Sequence, residues 1–282
     1  MRSDFCAFVL THGRPDNVKT LKALKKCGYT GDVVIVIDNE DDRAAEYYER
    51  FGDMVYMFDK LAVSRTFDSA DQSKDRRTIV YARNACFDIA RELGYRYFIE
   101  LDDDYSDFMH RFEYDGRLGY TSTKRLDEVI EKFIEFLDES GALTVAFAQG
   151  GDMIGGLGNG NFHKGLLRKA MNSFICDVNR HFKFVGRINE DVNTYVLYGS
   201  RGGVFFTYSR FQLNQGQTQK NKGGMTDVYD ESGTYVKSFY TVMMHPSSVY
   251  VAEMGDKHMR LHHHVKWEQT VPKIIRECIK KS

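Results

Sequence analysis

The sequence predicts an α/β fold: an open, mostly parallel sheet flanked by helices, with an elaborated C-terminal half. Two observations predict it. Apolar runs of strand length alternate with segments of helical period along the N-terminal part of the chain. Three of those runs also end on polar residues: Phe5–Leu10 on Thr11-His12-Gly13-Arg14, Val33–Ile37 on Asp38-Asn39-Glu40, and Tyr97–Leu101 on Asp102-Asp103-Asp104. Ligands of open parallel sheets bind outside the carboxyl ends of the strands. Each tip alone reads equally as a solvated loop; three on one edge read as a nucleotide site.

A chain of 282 residues suits one large α/β domain over 1–282, and 42% hydrophobic residues supply its core. The net charge of -1 gives no basic field to draw nucleic acid, so DNA binding would need a local patch. Cys6, Cys27, Cys86, Cys176 and Cys278 are scattered without a CxxC, which fits small buried hydrophobes in a reducing compartment. Asp4 interrupts the first residues, so they do not read as a signal peptide, and no segment approaches the ~20 apolar residues of a membrane span. The expectation is a soluble cytoplasmic protein.

Taken in order, the first strand is followed by a helix with Asp16 or Asn17 as its expected N-cap and Val18, Leu21 and Leu24 in register. Tyr29-Thr30-Gly31 closes it, and a second strand runs to Asp38. Residues 41–58 predict a helix and a short strand at Met54–Phe58, and 59–77 a polar loop. Ile79, Ala82, Ala85, Cys86, Ile89, Ala90 and Leu93 predict a helix that ends at Gly94. It carries Arg83 and Asn84, which read either as a surface pair or as groups turned toward a base or diphosphate. The third strand then delivers Asp102 and Asp104, two apart and able to share a hard divalent cation; an ordinary acidic turn is the other reading.

This order (strand, THGRP, helix, strand, Asp38, helix with Ala82-Arg83-Asn84, strand, LDDD) resembles the nucleotide-binding half of GT-A glycosyltransferases. The resemblance implies that residues 1–110 hold a nucleotide-sugar donor and 111–282 the acceptor. Donor contacts would come from Thr11, His12, Arg14, Asp38, Arg83, Asn84, Asp102 and Asp103. Asp102 and Asp104 would form a DxD motif holding Mn²⁺ or Mg²⁺ against the diphosphate, whose charge on leaving the cation stabilises. Glu190 and Asp191 in Arg187–Asn193 are similar to the Glu-Asp element that opens an acceptor-side helix, where the Asp serves as general base in inverting enzymes. Leu261–Trp267 resembles the late histidine that completes the metal shell. His262 and His264 are the candidates, since alternate residues of an extended segment share a side and His263 points away. Lys266 would lie near the diphosphate. More narrowly, the THGRP, LDDDY, INEDVN and HHH segments resemble the phage-encoded TET-associated glycosyltransferases. These attach sugars to oxidised or hydroxymethylated pyrimidines in DNA, with UDP-sugars as the expected donors and 5-hydroxymethylcytosine as the expected acceptor.

In the second half, Thr121-Ser122-Thr123 predicts a helix start, with Leu126, Val129, Ile130, Phe133, Ile134 and Leu137 as its core face. Leu143–Gln149 predicts a strand running into a glycine-rich segment that lacks the P-loop and dinucleotide spacings. By the resemblance, Gln149 and Asp152 would meet sugar hydroxyls. Strands are predicted at Phe174–Val178, Val204–Tyr208 and Phe211–Leu213, and a final helix at Val271–Lys281. The amide-rich tract 214–226 reads as a solvated loop. With Arg201, Arg210, Lys220 and Lys222 it is also the best nucleic-acid surface, because amides suit base edges and cations suit phosphate. A GT-A enzyme acting on a protein, glycan or lipid-linked sugar, a nucleotidyltransferase and a non-catalytic binding module are the other readings. Oligomeric state, the sugar, and inversion or retention are not encoded legibly.

Overall fold

A computed structural model gives the structure, which describes residues 1–215, 234–254 and 260–273. The predicted N-terminal strands form as β1 (Phe5–Leu10), β2 (Asp32–Asp38), β3 (Val55–Phe58) and β4 (Tyr97–Asp102). They pair in parallel in the order β3-β2-β1-β4. β1 and β4 are completely buried but for the tip of β4, which is why their sequences are continuously apolar instead of alternating. Leu10 stands opposite both Val36 and Asp102, which puts the three polar tips in one row.

Beyond β4 the sheet is mixed. β5 (Tyr105–Tyr114), β6 (Arg117–Ser122), β7 (Thr144–Ala148), β8 (Leu166–Leu167), β9 (Ser173–Asp177) and β10 (Phe205–Gln215) extend it to ten strands among the described residues. β9 lies antiparallel between β4 and β7, so β7 points the same way as β4 and delivers Gln149 to the same edge. The two strands expected at 204–208 and 211–213 are one, β10, whose register against β7 shifts between Tyr208 and Gln212.

Helices α1 (Lys19–Lys26), α2 (Ala44–Phe51) and α5 (Leu126–Ser140) cover one face. The other carries α3 (Lys60–Ser64), α4 (Val80–Glu92) and α7 (Glu190–Gly199), with a short α6 (Asn161–Lys164) near β8. Two expected helix starts move. α1 begins after Val18 without a side-chain cap, because Asp16 is taken by Arg43 and Arg50. Thr121 and Ser122 end β6, and α5 starts at Leu126. A separate antiparallel ribbon, β11 (Val249–Met254) and β12 (Arg260–Val265), packs on α8 (Thr234–Met244). Most of the helix expected at 271–281 lies outside the described residues. Among the described residues no helix is long and apolar enough to cross a membrane.

Candidate functional site

The row of strand tips is fastened by short polar contacts. Thr11, at the end of β1, donates its Oγ1 hydrogen to Asp103 at 2.6 Å and lies 2.9 Å from the Tyr47 hydroxyl. That hydroxyl accepts the Arg14 amide at 2.8 Å, and the Arg14 guanidinium lies 3.1 Å from Asp103. Thr20, in the first turn of α1, donates to the Asp102 carbonyl at 2.6 Å and accepts the Tyr105 amide at 3.0 Å. The acid triplet is therefore held by its backbone, with Asp103 buried inward and Asp102 and Asp104 left partly exposed. Burial pushes the Asp103 carboxyl up to about 6, against Arg14 and Thr11. Burial also raises Asp102 and Asp104, and the negative charge of Asp104 raises Asp102 further. Two partly exposed carboxylates two residues apart are a donor set suited to a hard cation.

Asp38 is an anchored carboxylate. One oxygen lies 2.8 Å from His12 Nδ1 and 3.1 Å from the buried Lys60 ammonium, and the other accepts the Glu40 amide. Burial works to raise its pKa, but His12 and Lys60 bring it below the ordinary range. His12 remains partly exposed at the edge. Tyr47 and Lys60 escaped the sequence reading, and Asp41 accepts the Gly13 amide at 2.6 Å and shapes the loop after β1.

Arg83 and Asn84 are placed otherwise than the sequence suggested. Asn84 is buried, and both ends of its amide meet the Phe184 backbone at 2.9 Å, so it tethers that segment instead of facing a ligand. Arg83 is 2% exposed and stacks 4.7 Å from the Phe174 ring. Its guanidinium reaches Asp102 at 3.3 Å, Glu190 at 3.1 Å and Glu100 at 3.5 Å. Three carboxylates on one cation leave an excess of negative charge. Burial pushes Glu100 up to about 8 against the pull of Arg83. Burial and the neighbouring Asp191 push Glu190 up to about 7. Glu100 was invisible in the sequence because it sits inside an apolar strand.

Glu190 and Asp191 do open a helix, α7, as expected. The turn before it is clamped: Asn189, in the left-handed region at φ 55, donates to the Lys237 carbonyl at 2.7 Å and Thr241 at 3.0 Å. Asp191 is partly exposed and accepts the Val192 amide on one oxygen. Gln149 brings an amide nitrogen that is buried and without a hydrogen-bond partner among the described residues. Asp152 is spent on Lys169 and on the Gln149 backbone N–H.

Among the described residues the late histidines form no metal-holding group with the carboxylates. Among the described residues no group of three or more His, Cys, Asp and Glu side chains is arranged to hold a metal. His264 stacks on Tyr250 at 5.5 Å, and His262 lies 4.3 Å from the His263 ring in spite of strand alternation. It is His263 that meets the turn before α7, 3.5 Å from Asn189, and burial with its charged and imidazole neighbours pushes it down to about 3. Lys266 is exposed and lies over the Tyr250 ring. Arg201 and Arg210 are exposed, Arg210 over Phe162, while Lys220 and Lys222 lie outside the described residues. A cavity of about 690 Å³ under α5, lined by His110, Phe133, Tyr208 and Phe211 among others, contains none of the candidate residues.

Comparison with known proteins gives one family: a model described as TET-Associated Glycosyltransferase matches residues 5–224. A search of curated proteins returns no match. Among solved structures, glucosyl-3-phosphoglycerate synthase from Mycobacterium tuberculosis, in complex with Mn²⁺, uridine diphosphate and phosphoglyceric acid, aligns over 93% of this chain and 87% of that chain, with 8% identity and a TM-score of 0.46.

Proposed function

The chain belongs to the TET-associated glycosyltransferases and is an enzyme that transfers sugar; from that premise we propose that it moves the sugar of a UDP-sugar to 5-hydroxymethylcytosine in DNA, with a divalent cation. The observation that carries this reading is the meeting, across Arg83, of Asp102 at a strand tip and Glu190 at the head of α7. In this reading the strand tip would seat the cation beside the carboxylate pair of α7, which would face the acceptor.

In this reading the loop after β1, with His12, Gly13 and Arg14, and the anchored Asp38 line the nucleotide. Asp102 and Asp104 would hold Mn²⁺ or Mg²⁺, which when bound supplies Lewis-acid stabilisation of the departing diphosphate. Hard oxygen donors suit such an ion. Asp191, with one oxygen uncommitted to the backbone, takes the proton of the acceptor hydroxyl. Gln149, whose buried N–H groups need an acceptor, is the group best placed by chemistry to meet an oxygen of the donor. Exposed Arg201 and Arg210 would contribute to phosphate contacts of the DNA.

The test is to incubate the protein with Mn²⁺, a panel of nucleotide sugars and hydroxymethylcytosine DNA, then digest to nucleosides for mass spectrometry. The expected result is a sugar-sized mass gain that disappears in Asp104→Ala. A gain on a peptide, glycan or lipid-linked acceptor with none on DNA would remove the DNA acceptor and leave sugar transfer standing.

A further inference from the structure

We infer that Arg83 is a positioning residue, an internal strut that fixes the distance between Asp102 and Glu190, and makes no contact with the donor. The inference rests on the reading of the site given above.

The geometry of the guanidinium carries it. Arg83 sits on the buried face of α4, and its planar fork addresses three carboxylates on separate edges. Nε faces Glu190 at 3.1 Å, Nη2 faces Asp102 at 3.3 Å, and Nη1 faces Glu100 at 3.5 Å. Phe174, 4.7 Å from the guanidinium carbon, covers one flat side. Each nitrogen of the fork faces a carboxylate, although Nη1, 3.5 Å from Glu100, makes no hydrogen bond among the described residues, and 2% exposure leaves no path to a diphosphate. The partners come from β4 and α7, which are far apart in sequence. Both are otherwise held to different parts of the fold: Asp102 through its carbonyl by Thr20 of α1, and the α7 turn by Asn189 to α8. Arg83 is thus the polar link between the strand tip that would seat the cation and the helix head that presents Asp191. A lysine carries one compact charge and cannot span these partners.

A strut and a donor contact differ in kinetics. Loss of placement at a reacting centre lowers kcat, by roughly 10²-fold for a displacement near 1 Å, while loss of a donor contact raises KM. Arg83→Lys is therefore measured for sugar transfer, with Arg83→Met/Glu100→Gln as a second variant whose core keeps no ionisable group at position 100. The expected result in both is a fall in kcat of about a hundredfold with donor KM nearly unchanged. A raised donor KM with kcat retained would overturn the strut in favour of a nucleotide contact.

A second readout does not depend on activity. Denaturant midpoints are compared for Arg83→Lys, Glu190→Gln and the double variant. The strut predicts strong coupling, with the double variant losing no more than the worse single. Additive losses would overturn it. A wild-type chain that turns over no donor would count against the transferase reading alone, and the coupling measurement would still decide whether Arg83 ties the two elements.

Discussion

Thr11 Oγ1 lies 2.6 Å from Asp103 Oδ2, joining the tip of the first strand to the middle acid of the triplet on its neighbour. The bond explains why three acids can end a buried strand: the middle one is turned inward and satisfied by Thr11 and Arg14, and its two neighbours face the edge. Thr11→Val keeps the shape and removes the donor. A buried acceptor that loses a partner costs about 1–3 kcal/mol. Urea unfolding at neutral pH should show a loss of that size, and an unchanged midpoint would mean that Arg14 alone satisfies Asp103.

Stability should carry a pH signature of Glu100. Its carboxyl is raised from 4.5 to about 8 by burial. The sign follows from linkage: the folded chain holds this proton to higher pH than the unfolded chain does. The contribution is complete below the unfolded value and is lost as pH rises through about 8, at up to about 1.4 kcal/mol per pH unit. Glu100→Gln should flatten that part of the profile in denaturation measured with a chelator present. Parallel profiles for the two proteins would contradict the assignment.

The polar segment after α3 should be a latched strap. Arg187, just ahead of the Glu190–Asp191 pair, holds Asp71 at 2.9 Å, and the Tyr240 hydroxyl reaches the same carboxylate at 3.0 Å. Arg76 ties the other end of the strap to Glu40, beside Asp38. Arg187→Gln should expose Lys74, Arg76 and Arg77 to trypsin, with cleavage about tenfold faster as the loss of one charge-assisted bond allows. Unchanged cleavage would mean that the strap is held elsewhere.

The strands of the N-terminal sheet were legible because complete burial leaves a continuous apolar run, and their tips because polar residues cannot follow them inward. The β5–β6 hairpin was not read, although its signal is present. Asp115-Gly116, both with positive φ, is the Asp-Gly turn that favours tight hairpins, and the threonines beyond it were mistaken for a helix cap. Arg83 was legible as a functional candidate and not in its role, since its partners Glu100, Asp102 and Glu190 meet it only in three dimensions. The histidine segment was correctly extended, but strand alternation could not foresee that His263 would meet Asn189 while His264 stacks on Tyr250.

The proposed cation seat is formed by Asp102 and Asp104 at the tip of β4. Its most direct test is calorimetric titration of UDP into the protein with and without Mn²⁺, repeated for Asp102→Asn and Asp104→Asn after their melts confirm folding. The account predicts that Mn²⁺ tightens UDP binding by at least about tenfold, roughly 1.4 kcal/mol, in the wild type, and that either variant loses the gain. An undiminished Mn²⁺ effect in both variants would contradict it.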